Sequence, residues 1–414
     1  MQNTSFVAGR DDLLHLARLR ITEKQVERVT ERIGGERREQ RDASVQAFLG
    51  SPLMEKFAAA VAHPPDLAVV QMDGGRLQIR DDPATGAATA AVAGPIEPPA
   101  AASPAGAGPP PVASEARRGH WREDKIGLLM TMTGEESATD PCPTIPETFV
   151  DPLRIIKLAR ELKKGRAPGE DAVADPPEPA EDATAECPEY TPPAVRVKSM
   201  VATRQGAESF GAILAAAARA RGFYGARRKA FVADGAETNW ATQRRWFSDF
   251  TAILDFIHAL SYVFAAAMAG RGFAAGWEVY VRWISWAWQG RVAAVIEGLE
   301  RRQAEVGPPA ADEPESSPKR VVAEALGYLR NNQLRMRYDE YRRLGLPMTS
   351  CHVESAVKQF NRRVKGTEKF WSEEGAEALL QLRADYLSET EPMEKFWADR
   401  EANATGRRRY RRAI

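Results

Sequence analysis

The chain has 414 residues, enough for two folded units and their linkers. Its 57 cationic and 57 anionic side chains cancel, so net charge names no partner and only the local placement of charge can. Cys142, Cys187 and Cys351 form no C-x-x-C pair, which argues against a zinc ribbon or a disulfide framework and fits a reducing cytosol.

Residues 1–62 read as a helical N-terminal region. The first twenty residues carry charges where a signal peptide needs an apolar core, so secretion is not expected. In ITEKQVERVTERIG, Ile21, Val26, Val29 and Ile33 fall near helical spacing, with Thr22 as N-cap and Gly34-Gly35 as the stop. The region is either a helical bundle packed on a core or a helix-turn-helix that reads DNA.

From Asp66 to Arg80 the pattern predicts a β-hairpin, with LAVVQM and RLQIR as strands and Asp73-Gly74-Gly75 as the turn. Residues from about 82 to 116 are Ala, Pro and Gly with almost no large side chains, and a second Pro- and acid-rich stretch covers about 167–193. Neither can bury enough surface to fold, so both read as disordered inserts. Between them HWREDKIGLLMTMT reads as a strand and DPLRIIKLARELKKG as a helix.

Gly206 to Arg221 is an Ala-rich helix, and RRKAFVADG a strand that ends at Asp234. From Asn239 to about Gly345 nearly everything reads as helical, and Trp240, Trp246, Trp277, Trp283, Trp286 and Trp288 in it read mainly as core. Phe250 to Gly270 is long and apolar enough to suggest a membrane span, but Asp255 and His258 make that costly, so a buried helix is expected. In a helix beginning near His352, Val353, Val357, Phe360 and Val364 share one face, with Glu354, Lys358, Arg362 and Lys365 beside it. Residues 399–414 form a basic tail with Arg407, Arg408, Arg409, Arg411 and Arg412.

The stretch MTSCHVESAVKQFNRRVKGTEKFWSEEGAEALLQLRADYLSE resembles the C-terminal signature of bacterial insertion-sequence transposases of the DDE class, specifically the Kra group. FVADGAETNW and FTAILDFIHALSYVFAAA resemble the group's middle signature. VQMDGGRLQIR and the later HWREDKIGLL resemble its first catalytic strand and the next one. The resemblance covers the chain from about Asp66 onward. It implies an α/β (α+β) RNase-H-like mixed sheet with flanking helices, divided as 63–238, a large all-helical insertion at 239–345, and C-terminal core helices at 346–398.

The same resemblance implies that Asp73, Asp234 and Glu354 are the catalytic, metal-holding triad, with two Mg²⁺ or Mn²⁺ ions. Paired divalent ions steady both the attacking and the leaving oxygen of a phosphodiester. Read without it, Asp73 and Asp234 are turn residues and Glu354 is half of a solvated Glu–Lys pair. Asp255 and His258 resemble the Asp-x-x-His element of related transposases. They read equally well as a pair beside the site or as a buried hydrogen bond that anchors a helix. Lys358, Arg362 and Lys365 would hold phosphates of double-stranded DNA. The adjacent Cys351-His352 makes a poor nucleophile pair, because neighbours on a helix point apart.

The function expected is metal-dependent cleavage at transposon ends and strand transfer, in a bacterial cytoplasm at the nucleoid, with no membrane partner. The alternative is a catalytically inactive remnant that still binds DNA; a third reading is a helical scaffold whose acids are turns and caps. A homodimer is compatible with all of these.

Overall fold

A computed structural model describes residues 5–58, 61–80, 119–164, 190–366 and 369–403. Strand β1, Leu67–Arg80, runs unbroken through Asp73, Gly74 and Gly75. It pairs along its whole length with antiparallel β2, Gly119–Thr133, from Leu67 opposite Met132 to Arg80 opposite Gly119. The hairpin expected at Asp-Gly-Gly therefore does not form. The glycines serve a close approach instead: a Cβ on Gly75 would lie 2.7 Å from the Asp124 carboxylate on β2. Leu67, Ala68, Val69 and Val70 have no exposed surface, as befits a central strand covered on both faces.

Strand β3, Ala194–Thr203, extends the sheet antiparallel to β2. Strands β4, Arg228–Ala233, and β5, Thr251–Leu254, extend it on the other side, parallel to β1. The order is β3-β2-β1-β4-β5, and a short β6, Phe370–Trp371, pairs parallel with the distal part of β1. The fold is thus mixed α/β with an open mixed sheet. β5 lies inside the stretch expected to be helical. Its four apolar residues are too few to show a period, and only pairing with β4 distinguishes them from a helix start.

Helices α1, Phe6–Ala17, α2, Glu23–Gly50, and α3, Leu53–Lys56, precede the sheet. Thr22 caps α2 in a reciprocal capping box with Gln25, as its position suggested. Gly34-Gly35 does not end α2. A Cβ on Gly34 would lie 2.4 Å from the Ala378 carbonyl oxygen, so this glycine permits tight packing on a later helix. Helix α4, Pro152–Lys164, matches its expected range, and α5, Ala207–Ala220, covers one face of β2 and β3. The expected insert at about 82–116 lies outside the described residues, as does that at 167–193 except for residues 190–193.

Helix α6, Glu237–Trp246, follows β4. After β5 come α7, Phe256–Met268, α8, Phe273–Trp288, α9, Val292–Val306, α10, Pro318–Asn332, and α11, Tyr338–Arg343. Trp240, Trp246, Trp283 and Trp288 are buried in this part, as expected, and Trp277 and Trp286 are partly buried. Arg342, with no exposed surface, stacks on Trp288 and pairs through two nitrogens with Asp140, tying the segment after β2 to these helices. No helix among the described residues is long and apolar enough to cross a membrane.

Helix α12, Cys351–Val364, crosses the sheet face opposite α5. Its buried face is Val353, Val357, Phe360 and Val364, as read from the spacing. Lys365 caps the helix and extends past its last turn, so it does not continue the Glu354–Lys358–Arg362 row. Helices α13, Glu373–Leu387, and α14, Pro392–Ala402, close the described chain; α13 packs on β3 and α2. The basic tail beyond residue 403 lies outside the described residues.

Asp124 is fully buried between the β1–β2 ribbon and α12, and neither carboxylate oxygen has a hydrogen-bond partner. Burial, then the neighbouring Glu123, raises its pKa from 3.8 to about 6. A raised carboxyl pKa leaves stability intact below the ordinary value and lowers it as pH rises through about 6. Asp124→Asn is therefore expected to be more stable than the parent at pH 8, by up to about 3 kcal/mol. The difference should close toward pH 4. Urea unfolding at both pH values checks this, and an equal difference at both would contradict it.

Candidate functional site

The parallel pairing of β4 with β1 and with β5 ends at nearly one level. Gln71 of β1 sits opposite Val232 of β4, so Asp73 and Asp234 both lie two residues further on. Ala233 of β4 sits opposite Leu254 of β5, so Asp234 and Asp255 both lie one residue further on. One row across the carboxyl end of the sheet therefore carries Asp73, Asp234 and Asp255. Only the first two belonged to the expected triad.

Each of the three is held differently. The Gly74 N–H donates to Asp73 Oδ1 at 2.7 Å. Asp234 Oδ1 accepts from the Ala236 N–H at 3.0 Å and from Asn239 Nδ2 at 2.8 Å. The Tyr328 hydroxyl on α10 donates to the Asp234 carbonyl at 2.6 Å, and Gly235, at φ +94°, makes the turn beneath that ring. Asp255 is fully buried and caps α7, its Oδ1 accepting from the Ile257 N–H at 3.0 Å. Its Oδ2 lies 2.7 Å from His258 Nδ1 and accepts from the Ser350 hydroxyl at 2.7 Å. Asp255 therefore meets His258 from a cap position.

Glu354 arrives from the other layer, in the first turn of α12. A buried amide sets that helix in place. Gln71 Nε2 donates to the Thr349 carbonyl at 2.9 Å, and the Val353 N–H donates to Gln71 Oε1 at 3.1 Å. The strand that bears Asp73 thus grips the helix start that bears Glu354. Ser350 Oγ lies 3.3 Å from Glu354 Oε1, which links Glu354 to Asp255 through one hydroxyl.

Asp255, His258 and Glu354 each offer a ligand atom within 4.8 Å of the other two. Asp73 and Asp234 join no such trio among the described residues, but they are coupled to it by charge. Burial raises the Asp73 carboxyl from 3.8 to about 7 against the Gly74 N–H, and Asp234 and Glu354 add to the rise. Burial and then Asp255 push Glu354 up, while His258, Ser350 and Lys358 oppose them. His258 is raised from 6.5 to about 9. Burial works against that rise, but the hydrogen bond and charge of Asp255, then Asp234 and Glu354, outweigh it.

This is an excess of negative charge partly offset by one imidazolium. Its donors beyond that ring are carboxylate oxygens, the hard ligands that suit Mg²⁺ or Mn²⁺. Burial first, and the neighbouring carboxylates after it, raise Asp73 and Glu354; a bound divalent cation would offset both, and the oxygen donors present fit one. The charged His258, with Nδ1 committed to Asp255, offers little as a ligand at neutral pH.

Lys358 and Arg362 are exposed on α12 beside Glu354, and Lys365 is exposed at its end. The Cys351 thiol is pushed above its usual value, first by desolvation and then, against a bond from Thr349, by Asp255 and Glu354. That is the wrong direction for a nucleophile. Gln71 and Ser350 were not singled out from the sequence. Gln71 left a faint signal, as the one polar side chain in LAVVQM; Ser350 left none beyond preceding a helix. No protein-family model and no curated protein matches the chain.

Two expectations follow. Without metal, Asp73→Asn should be more stable than the parent at pH 8, because the parent loses stability as pH rises through about 7. That advantage should vanish near pH 4, and excess Mn²⁺ should raise the melting temperature of the parent but not of the variant. Gln71→Leu strands the Thr349 carbonyl and the Val353 N–H. It should cost about 2–4 kcal/mol in urea unfolding and weaken Mn²⁺ binding about 10–100-fold by calorimetry. Unchanged Mn²⁺ affinity would show that Gln71 does not position Glu354.

Proposed function

We propose that the chain is a DDE-type DNA transposase of the bacterial nucleoid, cleaving DNA at transposon ends and joining the freed 3′-hydroxyl to target DNA. The observation that carries this reading is the level row of Asp73 and Asp234 on adjacent parallel strands, met by Glu354 from α12. A mixed sheet with helices on both faces is also what an RNase-H-like catalytic unit calls for.

Asp73, Asp234 and Glu354 would hold two Mg²⁺ or Mn²⁺ ions, whose chemistry when bound is to activate the attacking oxygen and steady the leaving one. The protein's own groups do the rest. Gly74 and Asn239 fix the Asp73 and Asp234 carboxylates in orientation. Gln71 holds the two layers of the site together, and Ser350 spans Asp255 and Glu354. Asp255 orients His258, whose positive charge lowers the mutual repulsion of the acids. Lys358 and Arg362 stand where backbone phosphates would pass beside Glu354.

The test is a linear fragment carrying the coding sequence with its native flanking DNA, incubated with purified protein and Mg²⁺ or Mn²⁺. Cuts leaving 3′-hydroxyl ends are expected at the element boundaries. Asp73→Asn, Asp234→Asn and Glu354→Gln should each reduce cutting to background while DNA binding persists. Cutting that survives all three substitutions would overturn the assignment. Binding by the parent with no cutting in either metal would leave a DNA-binding remnant, and neither binding nor cutting would leave a scaffold.

A further inference from the structure

The ribbon of β1 and β2 does not stop at the carboxylates. It continues seven residues past Asp73, to Arg80 opposite Gly119. From Gly119 to Asp124, β2 has no partner on its outer edge among the described residues, since its pairing with β3 begins at Lys125 opposite Thr203. On this distal part, which β6 joins at Gln78 and Ile79, Arg76, Arg80 and Arg122 are exposed, and Lys365 stands beside it. None of these four makes an ion pair among the described residues, whereas Glu123 is taken by Lys125. Trp121 is 46% exposed, and Lys365 Nζ lies 5.4 Å from its ring centre.

An exposed indole with a cation over it, facing the same way as two exposed arginines of the neighbouring strand, suits a polyanion that carries flat rings. We infer that one face of this ribbon is a nucleic-acid-binding arm, in which Arg76 and Arg80, on the same face as Trp121, hold backbone phosphates with Lys365, and Trp121 stacks on an unpaired base. The assignment rests on the transposase reading and adds to it a location and a contact type. Trp121 sits opposite Gln78, five residues and about 17 Å along the strand from Asp73, and on the other face of the ribbon from that carboxylate. The tryptophans buried between α6 and α8 are not available for stacking.

The experiment uses the full chain and synthetic duplexes, either fully paired or with one unpaired 2-aminopurine at successive positions. Trp121 should quench the 2-aminopurine in the parent, and Trp121→Ala should abolish the quenching. The same substitution should lower affinity for the unpaired duplex about ten-fold and leave the fully paired duplex nearly unaffected. Trp121→Phe should restore most of the affinity. Arg76→Ala with Arg80→Ala should flatten the slope of log affinity against log salt by about two on either duplex. Circular dichroism melts of the variants should match the parent, which separates contact loss from misfolding.

If the parent binds DNA while these variants retain its quenching and salt slope, the arm assignment falls and the transposase reading stands. If the parent binds no DNA at all, both fall. Loss of self-association with unchanged DNA binding would make the ribbon a protein contact and overturn the proposal.

Discussion

The site depends on the shared register of three parallel strands. Hydrogen bonding in a parallel ladder ties each residue of β4 to one residue of β1 and one of β5. A carboxylate two residues beyond Gln71 therefore has no choice but to stand level with one two residues beyond Val232. Slipping β4 by one residue would turn Asp234 to the opposite face. The buried apolar run from Leu67 to Val70 prevents that slip, because every side chain in it fills a defined place in the core.

The second layer is joined to the first by polar contacts. The α12 start is fixed to β1 by one buried amide and to the β5–α7 corner by one hydroxyl. These bonds lie where water is scarce, which makes them directional and costly to leave unmet. They also set the electrostatics. Gathering Asp73, Asp255 and Glu354 in a poorly hydrated place drives Asp73 and Glu354 toward their neutral forms and drives His258 toward its charged one.

Glycine and tight packing explain two features that a local reading assigns to breaks in the chain. Gly75 makes room for the Asp124 carboxylate, and Gly34 makes room for the backbone of α13. Both sit inside regular elements, so their role is to remove a side chain from a crowded contact.

Much of this was legible in the residues alone. The helix bearing Glu354, its apolar face, the Thr22 cap, the α4 and α5 helices and the strand ending at Asp234 all follow from spacing and capping chemistry, which act within a few residues. Asp73, Asp234 and Glu354 were legible as candidates by their motifs. What the residues could not disclose is whatever depends on a distant partner. Asp-Gly-Gly lies in a strand because β2 pairs across it, and Gly34-Gly35 lies in a helix because α13 packs there. TAIL becomes β5 because β4 stands beside it. Asp255 joins the row, and Gln71 and Ser350 become its supports, only once register and helix placement bring together residues nearly three hundred positions apart in the chain. Local pattern carries torsional preference and amphipathic period; the meeting of side chains is decided by the sheet ladder and the packing of layers, which no local window contains.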